Sequence, residues 1–222
     1  MIIEKENGNL KMISFPIGSY QCNCTIIFHK ESKKALIIDP GNDLASLKRV
    51  LEHFGLKPLH LLHTHAHFDH IGQSDELRNE CGAKICLHKG DQFLYDMLPM
   101  QGKFFGQTVG TPGPIDEYIE HENEYGANIE DKDFLKAIHT PGHTPGSTSF
   151  YTEAFGTPLL LSGDTLFNRS IGRTDLPGGD GNLIIKSIKE RLLKLPDETE
   201  VITGHGPMTE IKKEKIYNPF LC

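Results

Sequence analysis

The chain has 222 residues, enough for one domain with a large buried core. Its 30 acidic residues outnumber 23 Lys and Arg, for a formal net charge of −7, and no stretch is rich in basic residues, which argues against nucleic acid as a partner. No segment has the roughly 18 apolar residues that cross a bilayer, so we expect no membrane association. Five cysteines without zinc-finger spacing and the absence of an apolar leader predict a cytoplasmic protein.

The first part of the chain is typical of a series of strands followed by alternating strands and helices. Apolar spacing predicts a helix at 44–54, with Asp43 as its N-cap and Gly55 as its stop, covering one face of a sheet. A second helix is predicted at 71–81. Short apolar runs between turn residues predict strands at 11–17, 24–29, 35–39, 58–62 and 83–88.

Potential metal ligands are concentrated directly after the predicted strand 58–62. Side chains two apart on an extended chain point the same way, so His65 and His67 are placed to hold one ion. Asp69 and His70 follow where the chain turns into a helix, so they are placed to hold a second ion nearby. Imidazoles combined with a carboxylate suit zinc, and also iron or manganese.

The segment 99–115 breaks the regular pattern. Glycines and prolines surround Phe104 and Phe105, a composition that predicts an irregular loop with apolar content near the site rather than a helix or strand. Such a loop is either a flap over the site or a packed surface excursion, and both interpretations stay open.

The second half is again rich in strands and supplies further potential ligands. A helix is predicted at 182–195, and strands at 134–139, 148–151 and 158–161. His143 lies in a turn stiffened by prolines and glycines, Asp164 follows a buried strand, and His205 follows an apolar run between glycines. Because separate strand ends can converge on one rim of a sheet sandwich, we expect these side chains to meet and to hold two metal ions.

The order of these ligands resembles the signature of the metallo-β-lactamase fold superfamily: His65, His67, Asp69, His70, His143, Asp164 and His205. The resemblance implies an α/β fold, a four-layer αβ/βα sandwich of two mixed β-sheets with helices outside, as a single domain over 1–222. It implies two divalent metal ions, with zinc expected and iron or manganese possible. His65, His67 and His143 would hold the first ion and Asp69, His70 and His205 the second, with Asp164 bridging them.

Within that superfamily the chain looks most like the glyoxalase II branch, through Asp39-Pro40-Gly41 and the segments 141–146 and 163–167. That branch hydrolyses S-2-hydroxyacylglutathione thioesters. The resemblance therefore implies a metal-dependent thioester hydrolase with a metal-bridging hydroxide, which Asp69 would orient as a catalytic residue. Its substrate partner would be a small thioester or a related molecule, and the protein would be a monomer or a small homo-oligomer.

The chain departs from full-length glyoxalase II in its substrate contacts. It shows no separate C-terminal glutathione-binding domain, and Phe150 stands where that family has a substrate-contacting tyrosine. The segment 172–175 keeps a cation, Arg173, without the aromatic residue of the family. The shortened form resembles the compact bacterial glyoxalase II-like hydrolases. Arg173 either binds a substrate carboxylate or pairs with Asp175 or Asp180.

Other activities of the same fold remain open. The segment 172–175 also resembles the persulfide dioxygenases, which implies a single iron on His65, His143 and Asp164. A lactonase keeps the same ligands, whereas a β-lactamase would normally be exported. From another class, a metal-binding or flavin-partner module without hydrolytic activity would also contain a metal site, although no flavodoxin-like extension is visible.

Overall fold

The computed structural model describes residues 2–127 and 134–221, and over those residues two large β-sheets pack face to face. The strands of the first sheet lie in chain order: β1 (Ile3–Asn7), β2 (Leu10–Ile17), β3 (Cys22–His29), β4 (Lys34–Ile38), β5 (Lys57–Leu62), β6 (Lys84–His88) and β7 (Glu117–Ile119). Strands β1 to β4 pair antiparallel, and β4 to β7 pair parallel. The sheet is therefore mixed. Its antiparallel strands are joined by turns, whereas its parallel strands are joined by longer crossovers that contain helices.

The second sheet is also mixed and runs in the order β15, β14, β11, β10, β9, β8. Its strands are β8 (Glu124–Tyr125), β9 (Leu135–His139), β10 (Thr148–Thr152), β11 (Leu159–Gly163), β14 (Glu200–Thr203) and β15 (Thr209–Glu210). Only β11 and β14 pair parallel. A small hairpin, β12 (Leu166–Phe167) and β13 (Ser170–Ile171), follows β11 and lies outside this sheet.

Helices cover the outer faces of both sheets. They are α1 (Leu44–Phe54), α2 (Phe68–Ile71), α3 (Ser74–Cys81), α4 (Gln92–Asp96), α5 (Leu98–Phe104), α6 (Gly181–Glu190) and α7 (Ile211–Tyr217). Over the described residues, none of these helices combines the length and the apolar character needed to cross a membrane.

Three apolar clusters hold the layers together. On β3, Ile27 belongs to the cluster between the two sheets, which also contains Phe150 of the second sheet. Its neighbour Ile26 points to the opposite face and belongs to the cluster that buries α1 through Leu47. A third cluster buries Ile184 of α6 against the second sheet. The order helix, sheet, sheet, helix confirms the expected four-layer α/β sandwich.

The helix expected at 44–54 forms with the expected ends. The Asp43 side chain accepts a hydrogen bond from the Ser46 amide (3.1 Å), and Gly55 adopts a left-handed φ of 65°. These interactions satisfy backbone groups that the helix leaves unpaired at its two ends.

Two helix predictions are wrong in extent. The segment 71–81 is not one helix, because α2 ends before Gly72 and α3 begins after Gln73. A Cβ at Gly72 would lie 2.3 Å from the Phe68 carbonyl oxygen, and the Gln73 side chain accepts a hydrogen bond from the Leu44 amide (2.7 Å). In the segment 182–195, α6 ends earlier and a separate 3₁₀ turn follows at Leu192–Lys194.

The prediction that 99–115 contains no helix is also wrong, because α5 occupies Leu98–Phe104. Proline is compatible with the first turn of a helix, where its missing amide proton is not needed. At Gly102 an added Cβ would lie 2.7 Å from Val109, so the chain after α5 folds back closely over the helix. This contact explains a glycine within the helix, whereas composition alone indicated a loop.

Candidate metal centre

The segment 63–71, called the motif segment below, follows β5 and ends in the short helix α2. His65 and His67 lie in the irregular stretch between the two elements, while Asp69 and His70 lie in α2. All three histidines are buried, and the Asp69 side chain keeps 13% of its surface exposed. The turn from strand to helix predicted from the sequence is therefore the turn that separates the two ligand pairs.

The first ligand group consists of His65, His67 and His143. The Nε2 atom of His143 lies 3.0 Å from Nδ1 of His67 and 3.3 Å from Nε2 of His65. The three side chains come from two loops far apart in sequence, and each offers one nitrogen within 4.8 Å of the other two. This arrangement can hold a metal ion.

The second group consists of Asp69, His70 and His205. Nε2 of His205 lies 3.1 Å from Nε2 of His70 and 3.3 Å from Oδ2 of Asp69. His205 reaches this position because the start of β3 pairs with the loop after β14: the Asn23 amide donates to the Gly204 carbonyl (2.8 Å). The two sheets are thus joined at the rim where this group forms.

The Asp164 carboxylate lies between the two groups. Its Oδ2 is 3.7 Å from Nε2 of His143, and its Oδ1 is 3.5 Å from Nε2 of His70. Its buried Oδ1 atom has no hydrogen-bond donor within range. A buried carboxylate oxygen without a donor is costly, and a cation would satisfy it.

The outer nitrogens of three histidines explain why their inner nitrogens suit a cation. Each Nδ1 donates to a protein oxygen: His70 to Oδ2 of Asp39 (3.0 Å), His143 to the Arg173 carbonyl (2.7 Å) and His205 to the Tyr20 carbonyl (2.9 Å). A neutral imidazole carries one ring proton, so each Nε2 presents a lone pair to the site. In the neutral forms of His70 and His205 these lone pairs face each other at 3.1 Å and repel unless a cation lies between them. Without a cation, and despite their burial, the nearby carboxylates raise the pKa of both imidazoles.

The pKa shifts of His65, His67 and Asp69 favour the same ligand states. Burial lowers the pKa of His65 well below its usual value and lowers the pKa of His67 to about 3. Although burial opposes ionisation of Asp69, the nearby His70 and His205 hold its pKa below the usual range. Neutral imidazoles and an ionised carboxylate are the forms that bind metal ions.

Asp39, at the end of β4, positions the second group from outside. Its carboxylate accepts hydrogen bonds from the Thr64 amide (2.8 Å), the Thr64 hydroxyl (2.7 Å) and Nδ1 of His70 (3.0 Å). Its φ of 50° lies in the left-handed region, where Asp and Asn are among the better-tolerated residues. Asp39 therefore links Thr64, at the start of the motif segment, to His70 near its end. Its bond to Nδ1 also selects the tautomer of His70.

We expect Asp39→Asn to weaken binding at the second group by roughly 10- to 100-fold, because an amide tolerates the same backbone conformation but accepts only through one oxygen. Isothermal titration calorimetry of zinc binding to the metal-free variant measures the affinity of each site. Asp43→Asn, at the N-cap of α1 and outside the centre, is the matched control. Unchanged affinity at both sites in Asp39→Asn would remove the proposed role of Asp39.

Asp91 performs a similar task for the first group. It is fully buried, and its carboxylate accepts hydrogen bonds from the Ala66 amide (3.0 Å), the Thr144 hydroxyl (2.7 Å) and the Gly146 amide (2.6 Å). Burial raises the pKa of Asp91, and these three donors oppose the shift. The residue thus ties the loop of His65 and His67 to the turn that carries His143.

The metal centre opens into a cleft at the rim of the sandwich. Besides the ligand groups, the cleft is lined by Tyr20, Phe68, Gln101, Phe105, Arg173 and Leu176. The Arg173 side chain is 55% exposed and makes a bidentate ion pair with Asp175, at 2.7 Å for each bond. Asp180 instead caps α6. Arg173 therefore pairs with Asp175 and not with Asp180, and it also lines the cleft.

The segment 99–115, predicted as a loop, lies in two different environments. Gln101 and Phe105, in and after α5, line the cleft. The later part packs on α3, where the Gly113 amide donates to Asp75 (3.0 Å) and Arg78 donates to the Pro114 carbonyl (2.6 Å). The helical part thus forms a wall beside the metal centre, and the rest is packed against the domain surface.

A model of the metallo-beta-lactamase superfamily matches residues 17–205. The chain belongs to the metallo-beta-lactamase superfamily. The matched range contains every member of both ligand groups. The superfamily fold implies divalent metal ions, and the His and Asp groups described above fit them.

Relatives in the superfamily extend over nearly the whole chain. A probable metallo-hydrolase of Bacillus subtilis, YqgX, is 39% identical over 96% of this chain and 98% of its own length. The hydroxyacylglutathione hydrolase GloC of Haemophilus influenzae is 38% identical over 96% of this chain and 98% of its own length. These similarities identify the chain as a metallo-hydrolase of the superfamily.

Solved structures of the superfamily have the same fold. The crystal structure of BLEG-1 B3 metallo-beta-lactamase matches with a TM-score of 0.84 and 38% identity, over 95% of this chain and 99% of that chain. The crystal structure of TTHA1623 in a di-iron-bound form matches with a TM-score of 0.81 and 35% identity, over 93% of this chain and 98% of that chain.

The sequence predicts the residues that the structure brings together in the two groups, but not the residues that hold them in place. It marks Asp39 only as part of a family motif and does not mark Asp91. The one local signal for Asp91 is its position shortly after the apolar strand β6. Its burial in the structure requires partners, since carboxylates are rarely buried without them. Its partners lie 25 or more residues away, so the sequence does not reveal them.

Proposed function

We propose that the protein is a thioester hydrolase of the glyoxalase II type, acting on a small substrate such as an S-2-hydroxyacylglutathione. The observation that carries the proposal is the meeting of two ligand groups at Asp164, on the floor of a cleft that also contains the cation Arg173. The 38% identity to a hydroxyacylglutathione hydrolase over 96% of the chain supports the same substrate class.

In this proposal His65, His67 and His143 hold one divalent ion, Asp69, His70 and His205 hold the second, and Asp164 contacts both. Two such ions would acidify a water toward neutral pH and polarise the thioester carbonyl. We propose zinc, because imidazole and carboxylate ligands in small, closed groups suit it. The di-iron form of TTHA1623 supports a two-ion centre and makes iron the main competitor.

The protein residues would orient the reactants. Asp69 is the partly exposed carboxylate of the second group, so it can accept a hydrogen bond from the attacking water and direct the oxygen toward the carbonyl carbon. Arg173 lies at the cleft wall with an exposed guanidinium, so it can bind a carboxylate of the thiol half of the substrate in exchange for Asp175. A thiolate leaves readily because thiols have a pKa near 8.5, so no protein acid is required.

The test is hydrolysis of S-D-lactoylglutathione by protein loaded separately with zinc, iron or manganese. We expect Asp69→Ala to lower kcat/KM on the order of 10²-fold or more, because the variant loses a ligand of the second ion and the carboxylate that orients the attacking water. Asp197→Ala removes an exposed carboxylate that pairs with Lys215, away from the centre, and serves as the control.

Two results would contradict the proposal. Turnover of a β-lactam without turnover of any thioester would assign the chain to a different substrate class. One iron per chain, with oxygen consumption on a glutathione persulfide, would assign it to dioxygenase chemistry.

A further inference from the structure

A second pocket opens beside the metal cleft, and its walls are almost entirely apolar. Its volume is about 230 Å³. The walls include Leu94, Met97, Met100, Phe104, Phe105 and Leu176. The pocket also contacts His67, whose Nδ1 atom belongs to the first ligand group, so a molecule in this pocket ends beside the metal centre.

A continuous row of aromatic rings joins the pocket to the cleft. The ring of Phe104 meets Phe105 edge-on with centroids 5.0 Å apart, and Phe105 stacks on Phe68 at 5.2 Å. Tyr20 meets Phe68 edge-on at 5.0 Å on the far side, in the metal cleft. Aromatic pairs at these distances attract one another, so the row provides a firm apolar surface from the metal centre into the pocket.

The mouth of the pocket exposes large apolar side chains to water. Phe104 is 80% exposed and Met100 is 64% exposed. Scattered exposed apolar residues are ordinary, but a group of them around one pocket is typical of a binding site for an apolar ligand. Methionines add flexible, polarisable surface that adapts to ligands of different shape.

Gln101 fixes this pocket relative to the metal centre. Its Nε2 donates to the Ala66 carbonyl (3.0 Å) and to the Leu94 carbonyl (2.8 Å), and its Oε1 accepts from the Phe68 amide (3.2 Å). Ala66 lies between the two ligands His65 and His67. The helix α5, which carries much of the pocket wall, is therefore held directly on the ligand segment.

The charges of the two cavities differ. Among the described residues that line the apolar pocket, only His67 carries a titratable group, and it faces the metal centre. The cation Arg173 lies in the metal cleft instead. An anionic thiol half such as glutathione would lose its hydration in the apolar pocket without gaining an ion pair, whereas a hydrocarbon chain gains by burial there.

We propose that the apolar pocket binds the acyl chain of the thioester, so that among the thioesters it hydrolyses the enzyme prefers those with a longer unbranched acyl chain. This inference rests on the proposed thioester hydrolysis. The acyl chain lies along Phe105 into the pocket, the carbonyl stands beside His67, and the thiol half extends toward Arg173.

The first experiment compares S-acetyl-, S-butyryl- and S-hexanoylglutathione. We expect kcat/KM to rise about fourfold for each added methylene, the gain that burial of one methylene provides. Phe104→Ser removes apolar wall at an exposed position, so we expect it to lower the hexanoyl-to-acetyl ratio of kcat/KM about fivefold or more. Phe220→Ser changes an exposed phenylalanine outside the pocket and is expected to keep the wild-type ratio.

The second experiment detects binding without turnover. The chain contains no tryptophan, so Phe104→Trp introduces a single fluorescent reporter into the pocket wall. We expect S-hexylglutathione, a thioether that cannot be hydrolysed, to shift its emission to shorter wavelength, whereas S-methylglutathione leaves it unshifted. Phe220→Trp is the control and is expected to respond to neither compound.

The two experiments separate the inference from the proposed function. An emission shift with S-hexylglutathione in a protein that hydrolyses no thioester would support the pocket and overturn the hydrolase proposal. Hydrolysis of all three thioesters with equal kcat/KM, or an unshifted emission of Phe104→Trp, would overturn the pocket and leave hydrolysis standing.

Discussion

Asp164→Ala is expected to lower the metal content from the proposed two ions to fewer than one per chain and to reduce kcat/KM for the proposed thioester hydrolysis on the order of 10³-fold or more. The reason is the position of the carboxylate, whose two oxygens lie 3.5 Å from Nε2 of His70 and 3.7 Å from Nε2 of His143. Without the Asp164 carboxylate, the two ligand groups lose the negative charge that lies between them. Metal analysis of the purified variant together with its steady-state kinetics measures both effects.

Asp164→Asn is the matched control for this change. The amide keeps the shape of the side chain and one acceptor oxygen but removes the charge, so we expect a loss smaller than that of the alanine variant. Circular dichroism of each variant establishes that the protein is folded before its metal content is compared. Two ions per chain in folded Asp164→Ala would show that Asp164 does not contact both sites.

Asp91→Ala is expected to lower the free energy of unfolding by roughly 3–5 kcal/mol, because a buried donor left without its acceptor costs about 1–3 kcal/mol and this change leaves three such donors. Its loss would leave the Ala66 amide, the Thr144 hydroxyl and the Gly146 amide buried without their acceptor. Chemical denaturation measures the change, and the partly exposed Asp116→Ala, which loses its bond from the Ile85 amide, is expected to cost less.

The Thr144 hydroxyl tests the positioning role of Asp91 without removing the carboxylate. Thr144→Val keeps the shape of the side chain and removes the donor, so we expect weaker metal binding at the first group, since outer partners of metal ligands contribute to affinity. Thr144→Ser keeps the hydroxyl and is expected to retain that affinity. If the valine and serine variants bound metal equally well, the Asp91 bond to this loop would have no part in metal binding.

The regular elements could be predicted where the pattern is local. The helix α1 has its cap, its apolar face and its stop within one stretch, so its bounds were predicted correctly. The helix α5 could not be predicted, because its glycine is accommodated by contact with Val109 in a segment that folds back over it. The break between α2 and α3 depends in the same way on contacts of Gly72 and Gln73 with other segments.

The sequence by itself determined which residues could bind metal and their order along the chain, because ligand chemistry is a property of short stretches. The class of fold followed from the resemblance of that order to a known superfamily. Only the tertiary structure decided the distances in the two ligand groups, the acceptors that orient their imidazoles and the apolar pocket beside them. The physical reason is that these features depend on packing between distant segments. The Asp91 carboxylate accepts a hydrogen bond from the Gly146 amide, and Asp39, after β4, accepts one from His70 in α2.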